Sequence, residues 1–163
     1  MKRTILKFSF ILLLPIVVGI ILIGAGCEKE DSYEEISLEY SKCPCDHETN
    51  FIKEVEIENV LLFDASKISF SEMKNLSFDG ERSLFVSYSS ETDSAVFYSF
   101  TGAIVGISYF CNFPSIDKKW EISPNGIYIS FSADEFELCN PKISIGTYTY
   151  SNLILTSLKK HLK

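Results

Sequence analysis

Hydrophobic and polar residues alternate along most of this chain after residue 50, a pattern typical of β-strands with one buried face. Residues 53–58 alternate charged and apolar side chains, and the alternation recurs over residues 84–89 and 127–134. Two further stretches, residues 95–101 and 103–111, are rich in valine, isoleucine, phenylalanine and tyrosine. The pattern predicts an all-β domain of six or so strands.

Turn residues and one short helical segment order these strands. Gly102 accepts the positive φ of a tight turn, so it predicts a hairpin between the two strands that flank it. Ser115 is a candidate N-cap after Pro114 and predicts a two-turn helix over residues 115–121. A last strand is expected over residues 143–158. A solvated cationic tail is expected after it, with Lys159, Lys160 and Lys163.

The order of the predicted elements selects between two all-β architectures. Strands with one short helix before the penultimate strand match a small OB-like barrel. A Greek-key β-sandwich would show similar strand spacing, so the placement of the helix is the discriminating feature. We expect the barrel, with the sandwich as the alternative.

The amino terminus has the pattern of an export signal. An uncharged apolar run over residues 8–26 follows a basic start and ends at Cys27. Ala25 and Gly26 are small residues directly before that cysteine, and the segment resembles the lipobox at which bacterial lipoproteins are cut and acylated. We therefore expect Cys27 to carry lipid. The basic start consists of Lys2, Arg3 and Lys7.

The alternative for residues 8–26 is an uncleaved transmembrane helix, because the run is just long enough to span a bilayer. Pro15 and Gly19 interrupt such a helix, and a plain anchor has no need of small residues before a cysteine. One departure from the lipobox pattern is Gly24, which stands where a branched apolar residue is usual.

Charge and length give the expected organisation: a signal peptide over residues 1–26, an acidic tether over residues 27–41 and a single β domain over residues 42–160. The full chain has a formal net charge of -7. The signal carries basic but no acidic residues, so the mature chain is more acidic still. Nucleic acid is not expected as a partner, because a phosphate backbone requires a basic surface.

Four cysteines besides Cys27 form an even set, which in an exported protein predicts disulfides. Two of the three possible pairings join the first two cysteines to the last two, and we favour these because they close long loops. Cys111 and Cys139 then lie within about 19 Å of each other. The strands that lead to them are therefore not a simple antiparallel pair. The set is Cys43, Cys45, Cys111 and Cys139.

Neither a metal site nor a catalytic site is expected. The spacing of Cys43, Cys45 and His47 differs from the C-x2-C pattern of structural zinc sites. His161, the other histidine, falls in the predicted tail, where nothing would orient it as a general base. Phosphate-binding loops and nucleophile-elbow motifs are missing from the sequence, so we expect no cofactor. The alternative function is a small secreted hydrolase that acts on glycans with two distant carboxylates.

Binding is the favoured class of function, because the chain holds 8 Tyr and 13 Phe. Tyr128 shares a predicted strand face with serines and an aspartate, while Tyr148 and Tyr150 share a face on either side of Thr149. A flat tyrosine surface with hydroxyl neighbours stacks on sugar rings or anchors a protein partner. The competing interpretation is that these tyrosines lie at the rim of the barrel with their hydroxyls in water.

Three segments resemble a group of largely uncharacterised Bacteroidetes lipoproteins. They are Cys111-Asn112-Phe113-Pro114, then Lys119-Trp120 with Ile122 and Gly126, and the apolar run with two lysines over residues 153–160. The resemblance implies an envelope lipoprotein held in the outer membrane by its lipid, facing the cell surface or the periplasm. It implies no activity, and a glycan or a protein remains the expected partner.

Two short motifs also resemble signals of exported Bacteroidetes proteins. The acidic run over residues 28–31 resembles the signal for transport to the outer face of the outer membrane; an ordinary flexible spacer is the alternative. Asp93-Ser94-Ala95 resembles the motif whose hydroxyl residue is O-glycosylated. Ser94 is therefore a candidate modification site, in a polar stretch that predicts an accessible loop.

Overall fold

A computed structural model describes residues 32–38, 51–116, 120–138 and 147–162. The chain divides into two compact units, Met1–Asp31 and Ser32–Lys163, and the described residues all belong to the second. Seven strands and one helix lie within them. In chain order these are β1 (Tyr33–Glu35), β2 (Phe51–Asp64), α1 (Phe70–Leu76), β3 (Arg82–Ser89), β4 (Ser94–Thr101), β5 (Ile104–Phe110), β6 (Ile127–Glu137) and β7 (Tyr148–His161).

Six of the strands close into a barrel. Strands β3, β4 and β5 form an antiparallel meander, and Gly102 makes the turn between β4 and β5 with a φ of 59°. Strand β7 lies parallel to β5, β6 lies antiparallel to both β7 and β2, and β2 lies parallel to β3. Strand β1 adds to β7 outside this ring. The predicted all-β, OB-like barrel with one short helix is confirmed.

The apolar side chains of the alternating pattern fill the interior of the barrel, as the sequence predicts. The predicted inner face of β6 is buried, with Ile129 fully covered and Phe131 nearly so. Fully burying side chains of this size contributes about 1.5–3 kcal/mol each. The inner core also includes Leu62, Val86, Phe97, Phe110, Leu153 and Leu158.

The α-helix of the described residues lies between β2 and β3, where a parallel pair of strands requires a crossover. Ser69 and Glu72 form a capping box at its start: each backbone N–H donates to the side chain of the other. Met73 is buried on the outer side of the barrel, against Phe63 and Phe85. This Ser-x-x-Glu signal was readable in the sequence.

The two-turn helix predicted over residues 115–121 is not observed in the described residues of that segment. Ser115 and Ile116 have no helical structure, and Trp120 has a 3₁₀ conformation, while residues 117–119 lie outside the described ranges. Trp120 is nonetheless a buried plug, as its size suggested, with 6% of its surface exposed. Pro114 favours an extended conformation at Phe113, the residue before it. The described residues on either side of Pro114 are likewise not helical.

The two ends of the domain pair with each other. Strand β1 falls within the residues predicted as a tether, and its Glu34 lies opposite Lys160 of β7. Lys159 Nζ lies 4.7 Å from the centre of the Tyr33 ring. Opposite charges across a strand pair and a cation over an aromatic ring both stabilise such a pairing. The prediction of a solvated tail is therefore wrong for Lys159 and Lys160, which belong to β7.

Strands β5 and β6 are not neighbours, as the cysteine geometry predicts, because β7 lies between them. Tyr109 of β5 and Phe136 of β6 both lie opposite Asn152 of β7. The carboxyl ends of β5 and β6 are therefore about 10 Å apart, two strand spacings. Cys111 follows β5 and is disulfide-bonded. The other cysteines, Cys43, Cys45 and Cys139, lie outside the described residues, so their pairing stays a prediction.

Candidate functional site

An uncharged aromatic surface covers the outer side of three adjacent strands, and we call it the tyrosine face. Residues opposite each other in a strand pair point to the same side of a sheet. The register of β4, β5 and β7 therefore places eight outward side chains in three rows. The rows are Phe100, Val105 and Tyr148; Tyr98, Ile107 and Tyr150; and Val96 with Tyr109.

The predicted pair Tyr148 and Tyr150 is brought together on this surface. Their rings are nearly parallel, with an angle of 20° between planes and 6.4 Å between centroids. Phe85, Tyr98 and Phe100 stack in the same way on β3 and β4, with Phe85 and Tyr98 5.2 Å apart. These stacked rings pack against one another along the outer surface of the barrel.

Helix α1 covers one border of the tyrosine face. Phe70 sets its ring edge-on against Tyr98 at 4.9 Å and against Phe85 at 5.5 Å. Lys74 Nζ lies 4.5 Å from the centre of the Phe100 ring. The helix is only seven residues long. It shields Phe85 completely but leaves the side chains of the tyrosine face exposed or half-buried.

The eight side chains of the face are tyrosine, phenylalanine, valine and isoleucine and carry no formal charge at neutral pH; the one ammonium group described beside them is that of Lys74, at the border. Burial raises the pKa of Tyr98, and the nearby Tyr109 adds to the shift. The surface therefore offers rings, aliphatic groups and neutral hydroxyls, which suits noncovalent contact rather than acid–base chemistry.

The third predicted tyrosine, Tyr128, lies elsewhere, at the end of the barrel where β6 begins and β7 ends. Its side chain is 51% exposed, on the outer face of β6 with Ser130 as predicted. It borders a cleft of about 640 Å³, which we call the rim cleft. The lining consists of Asn59, Trp120, Glu121, Ile127, Tyr128, Lys160, His161 and Leu162.

A hydrogen-bond relay fixes one wall of the rim cleft. Strand β2 bulges opposite Ser130, and Asn59 in this bulge has a φ of 54°. The Asn59 backbone N–H donates to Ser130 Oγ at 3.0 Å, and Ser130 Oγ lies 2.8 Å from His161 Nε2. The expectation that nothing orients His161 is therefore wrong. Within the described part of the chain, Ser130 is its one side-chain hydrogen-bond partner, so the third member of a catalytic triad is missing there.

The opposite wall of the cleft comes from the segment between β5 and β6. The indole of Trp120 is buried in this wall, and Lys160 Nζ lies 5.5 Å from its ring centre. Glu121 follows with a φ of 46°, an unusual conformation for a residue with a long side chain. Sequence reasoning missed Asn59, Glu121 and His161 as a group. The break in alternation after residue 58 was the one available signal, because it marks a bulge.

The candidate modification site Ser94 is exposed at the start of β4. Thr92 Oγ1 lies 2.7 Å from Ser94 Oγ, and Asp93 between them has a φ of 49°. The Asp93 carboxylate accepts hydrogen bonds from Tyr88 Oη at 2.6 Å and Ser115 Oγ at 3.0 Å. Burial raises the pKa of Tyr88, and the hydrogen bond to Asp93 adds to this. Ser94 thus lies on a firmly held, accessible turn, and its glycosylation stays a prediction.

The remaining predicted sites fall outside the described residues: Cys27 and the apolar run before it, and the segment around His47. No helix of the described residues has the length and apolarity to cross a bilayer. Those residues also contain no group of three side chains suited to hold a metal. Comparisons with models of known protein families and with curated proteins found no match.

Proposed function

We propose that this chain is a lipid-anchored envelope lipoprotein whose β domain binds a protein partner, without catalysis, through the tyrosine face. The anchor is Cys27, at the end of the export signal, and the membrane is the outer membrane. The observation that carries the binding proposal is the tyrosine face itself. It combines exposed and half-buried aromatic rings with side chains that carry no formal charge on one sheet surface.

A protein fits this surface better than other ligands. The centres of protein interfaces are depleted of charged residues and enriched in tyrosine and phenylalanine. Tyr148, 44% exposed, and Tyr109, 40% exposed, are the accessible aromatic anchors of this surface. A small molecule needs polar groups that converge on it from a concave wall, whereas this face lies on the outer surface of a closed barrel.

Photocrosslinking in cells tests the partner. A photoreactive phenylalanine analogue replaces Tyr150, in the middle row of the face, and in a second strain Tyr33, an exposed tyrosine of β1. We expect a discrete adduct with one protein from position 150 and not from position 33. The double variant Tyr148→Ser and Tyr109→Ser should weaken the same complex, measured with the purified partner, by more than about tenfold.

The outcomes separate the alternatives. An adduct of the chain with itself would identify a homodimer rather than a partner of another kind. The absence of any protein adduct at position 150 would overturn the protein-binding proposal. So would an adduct of equal yield at both positions, because it would show nonspecific proximity.

A separate experiment tests the anchor. Cys27→Ser removes the sulfur that would be acylated, so the domain should leave the membrane fraction. Mass spectrometry of the unaltered chain should find a lipid-modified Cys27 at the amino terminus. Unchanged fractionation of the variant together with an intact Met1 would show an uncleaved membrane-spanning segment instead.

A further inference from the structure

We propose that the rim cleft is a second binding site, and that its ligand is a neutral carbohydrate unit. This inference does not rest on the protein-binding proposal, because the two sites share no residue. The cleft volume of about 640 Å³ lies within the usual range for small-molecule sites, about 300–1,000 Å³. Its position at the barrel end leaves it open to a chain that extends into solvent.

The cleft offers an aromatic surface of the kind that sugars require. Tyr128 presents a half-exposed ring next to the opening, while the indole of Trp120, 6% exposed, lies buried in the wall behind it. The C–H groups on one face of a sugar ring pack against such rings, while the sugar hydroxyls remain free to form hydrogen bonds. The exposed ring of Tyr128 therefore favours a ring-shaped ligand over a flexible aliphatic one.

The polar groups of the cleft select a neutral, hydroxyl-rich ligand. The Asn59 amide both donates and accepts, the Glu121 carboxylate accepts and the Lys160 ammonium donates. His161 has its second ring nitrogen, Nδ1, available, since Nε2 faces Ser130. Hydroxyl groups use both donors and acceptors. An anion would meet the charge of Glu121 and a cation that of Lys160, so a ligand without net charge fits both.

The walls of the cleft are fixed before any ligand binds. The relay from Asn59 through Ser130 to His161 ties β2, β6 and β7 together. Asn59 and Glu121 are two of the three non-glycine residues with positive φ among the described residues. Such conformations are more strained for glutamate than for asparagine, and they concentrate at ligand sites. A rigid site loses little conformational freedom when it binds.

The single tryptophan of the chain makes the test specific, because Trp120 lines the cleft. The full chain is purified in a detergent without sugar headgroups and titrated with four-unit oligosaccharides of the cello, malto, xylo and chito series. We expect a saturable change in tryptophan fluorescence with at least one series at or below about 10 mM. Tyr128→Ala should weaken that binding at least about tenfold, while Tyr128→Phe, which keeps the ring, should retain it.

Matched controls make the result decisive. Phe51→Ala removes a ring of similar exposure, 52%, that does not border the cleft, and it should leave the affinity unchanged. No saturable response to any of the four series would overturn the proposal. A response to inorganic phosphate alone, or equal binding by Tyr128→Ala, would overturn it as well. None of these outcomes bears on crosslinking at position 150.

Discussion

Asn112 continues the pairing of β7 where β5 has ended. Its Nδ2 donates to the Leu155 carbonyl at 3.0 Å, and its Oδ1 accepts from the Leu155 N–H at 2.7 Å. Only an amide side chain carries a donor and an acceptor in the arrangement of a peptide group. This gives a structural reason for the asparagine in the segment Cys111-Asn112-Phe113-Pro114.

Replacing Asn112 with aspartate tests this role with the smallest change of shape. The carboxylate cannot donate to the Leu155 carbonyl and places a negative charge beside it. We expect Asn112→Asp to lower the free energy of unfolding by about 1–3 kcal/mol in urea titrations at neutral pH. Asn125→Asp, on an exposed turn, should change it by less than about 0.5 kcal/mol. Equal losses from both variants would contradict the role.

Glycine can be required at a position by its backbone conformation or by the lack of space for a Cβ atom. A comparison of Gly126 with Gly102 distinguishes these two causes. Both have positive φ, 77° and 59°, so a side chain at either is strained. A Cβ at Gly126 would also lie 2.9 Å from Phe63 Cε1 and 3.0 Å from the Leu62 carbonyl oxygen, whereas at Gly102 nothing lies within 4 Å. Gly126→Ala should therefore be the more destabilising, by about 1–3 kcal/mol, in urea titrations of the two variants. Equal destabilisation would show that only the backbone conformation matters.

At the scale of elements, the alternation of polar and apolar residues predicts where each strand lies in the sequence. It does not predict which strands pair with each other. The alternation over residues 127–134 predicts both β6 and its buried face, because each residue reports its own side of the sheet. The pairing of β1 with the end of β7 joins distant residues, and the acidic residues around β1 suggested only a tether. Helix α1 was missed although Ser69 and Glu72 form a capping box, because the strand pattern around it dominated.

The pairing of β1 can be tested by removing one backbone donor. The Ile36 N–H donates to the Leu158 carbonyl at 2.9 Å, just beyond the end of β1. Ile36→Pro deletes this bond, while Ile36→Ala removes the side chain but keeps it. We expect faster amide exchange at Leu162, whose N–H donates to Ser32, in the proline variant only. Equal exchange in both variants would show that β1 is held by its side chains alone.

At the scale of the whole molecule, barrel closure determines which residues share a site. Tyr148 and Tyr150 share a strand face, so the sequence placed them together correctly. The rim cleft could not be predicted in this way, because Asn59, Trp120 and His161 come from separate elements. Closure of β6 between β2 and β7 brings these elements to one end of the barrel. Alternation within a strand contains no information on that closure.

The same closure bears on the cysteines. Strands β5 and β6 end beside the same residues of β7, with Phe110 opposite Leu153 and Glu137 opposite Ser151. Cys111 directly follows the first of these ends, and Cys139 follows the second in sequence by two residues. A fully oxidised chain requires Cys111 and Cys139 to lie within about 19 Å of each other. The ends of β5 and β6, which lead to these two cysteines, are close enough to meet that limit. This arrangement allows one short segment to be linked to both strand ends.

We therefore predict that Cys111 is bonded to Cys43 or Cys45, and that Cys139 is bonded to the other. These links join the start of the domain to the ends of two barrel strands, and each closes a long loop. A loop of this length stabilises the folded chain by about 4 kcal/mol in the chain-entropy model. Nonreducing peptide mapping should yield one fragment that joins all three segments, and reduction should lower the urea midpoint. A fragment that contains only Cys111 and Cys139 would contradict the pairing, because the start of the domain would then be free of both strands.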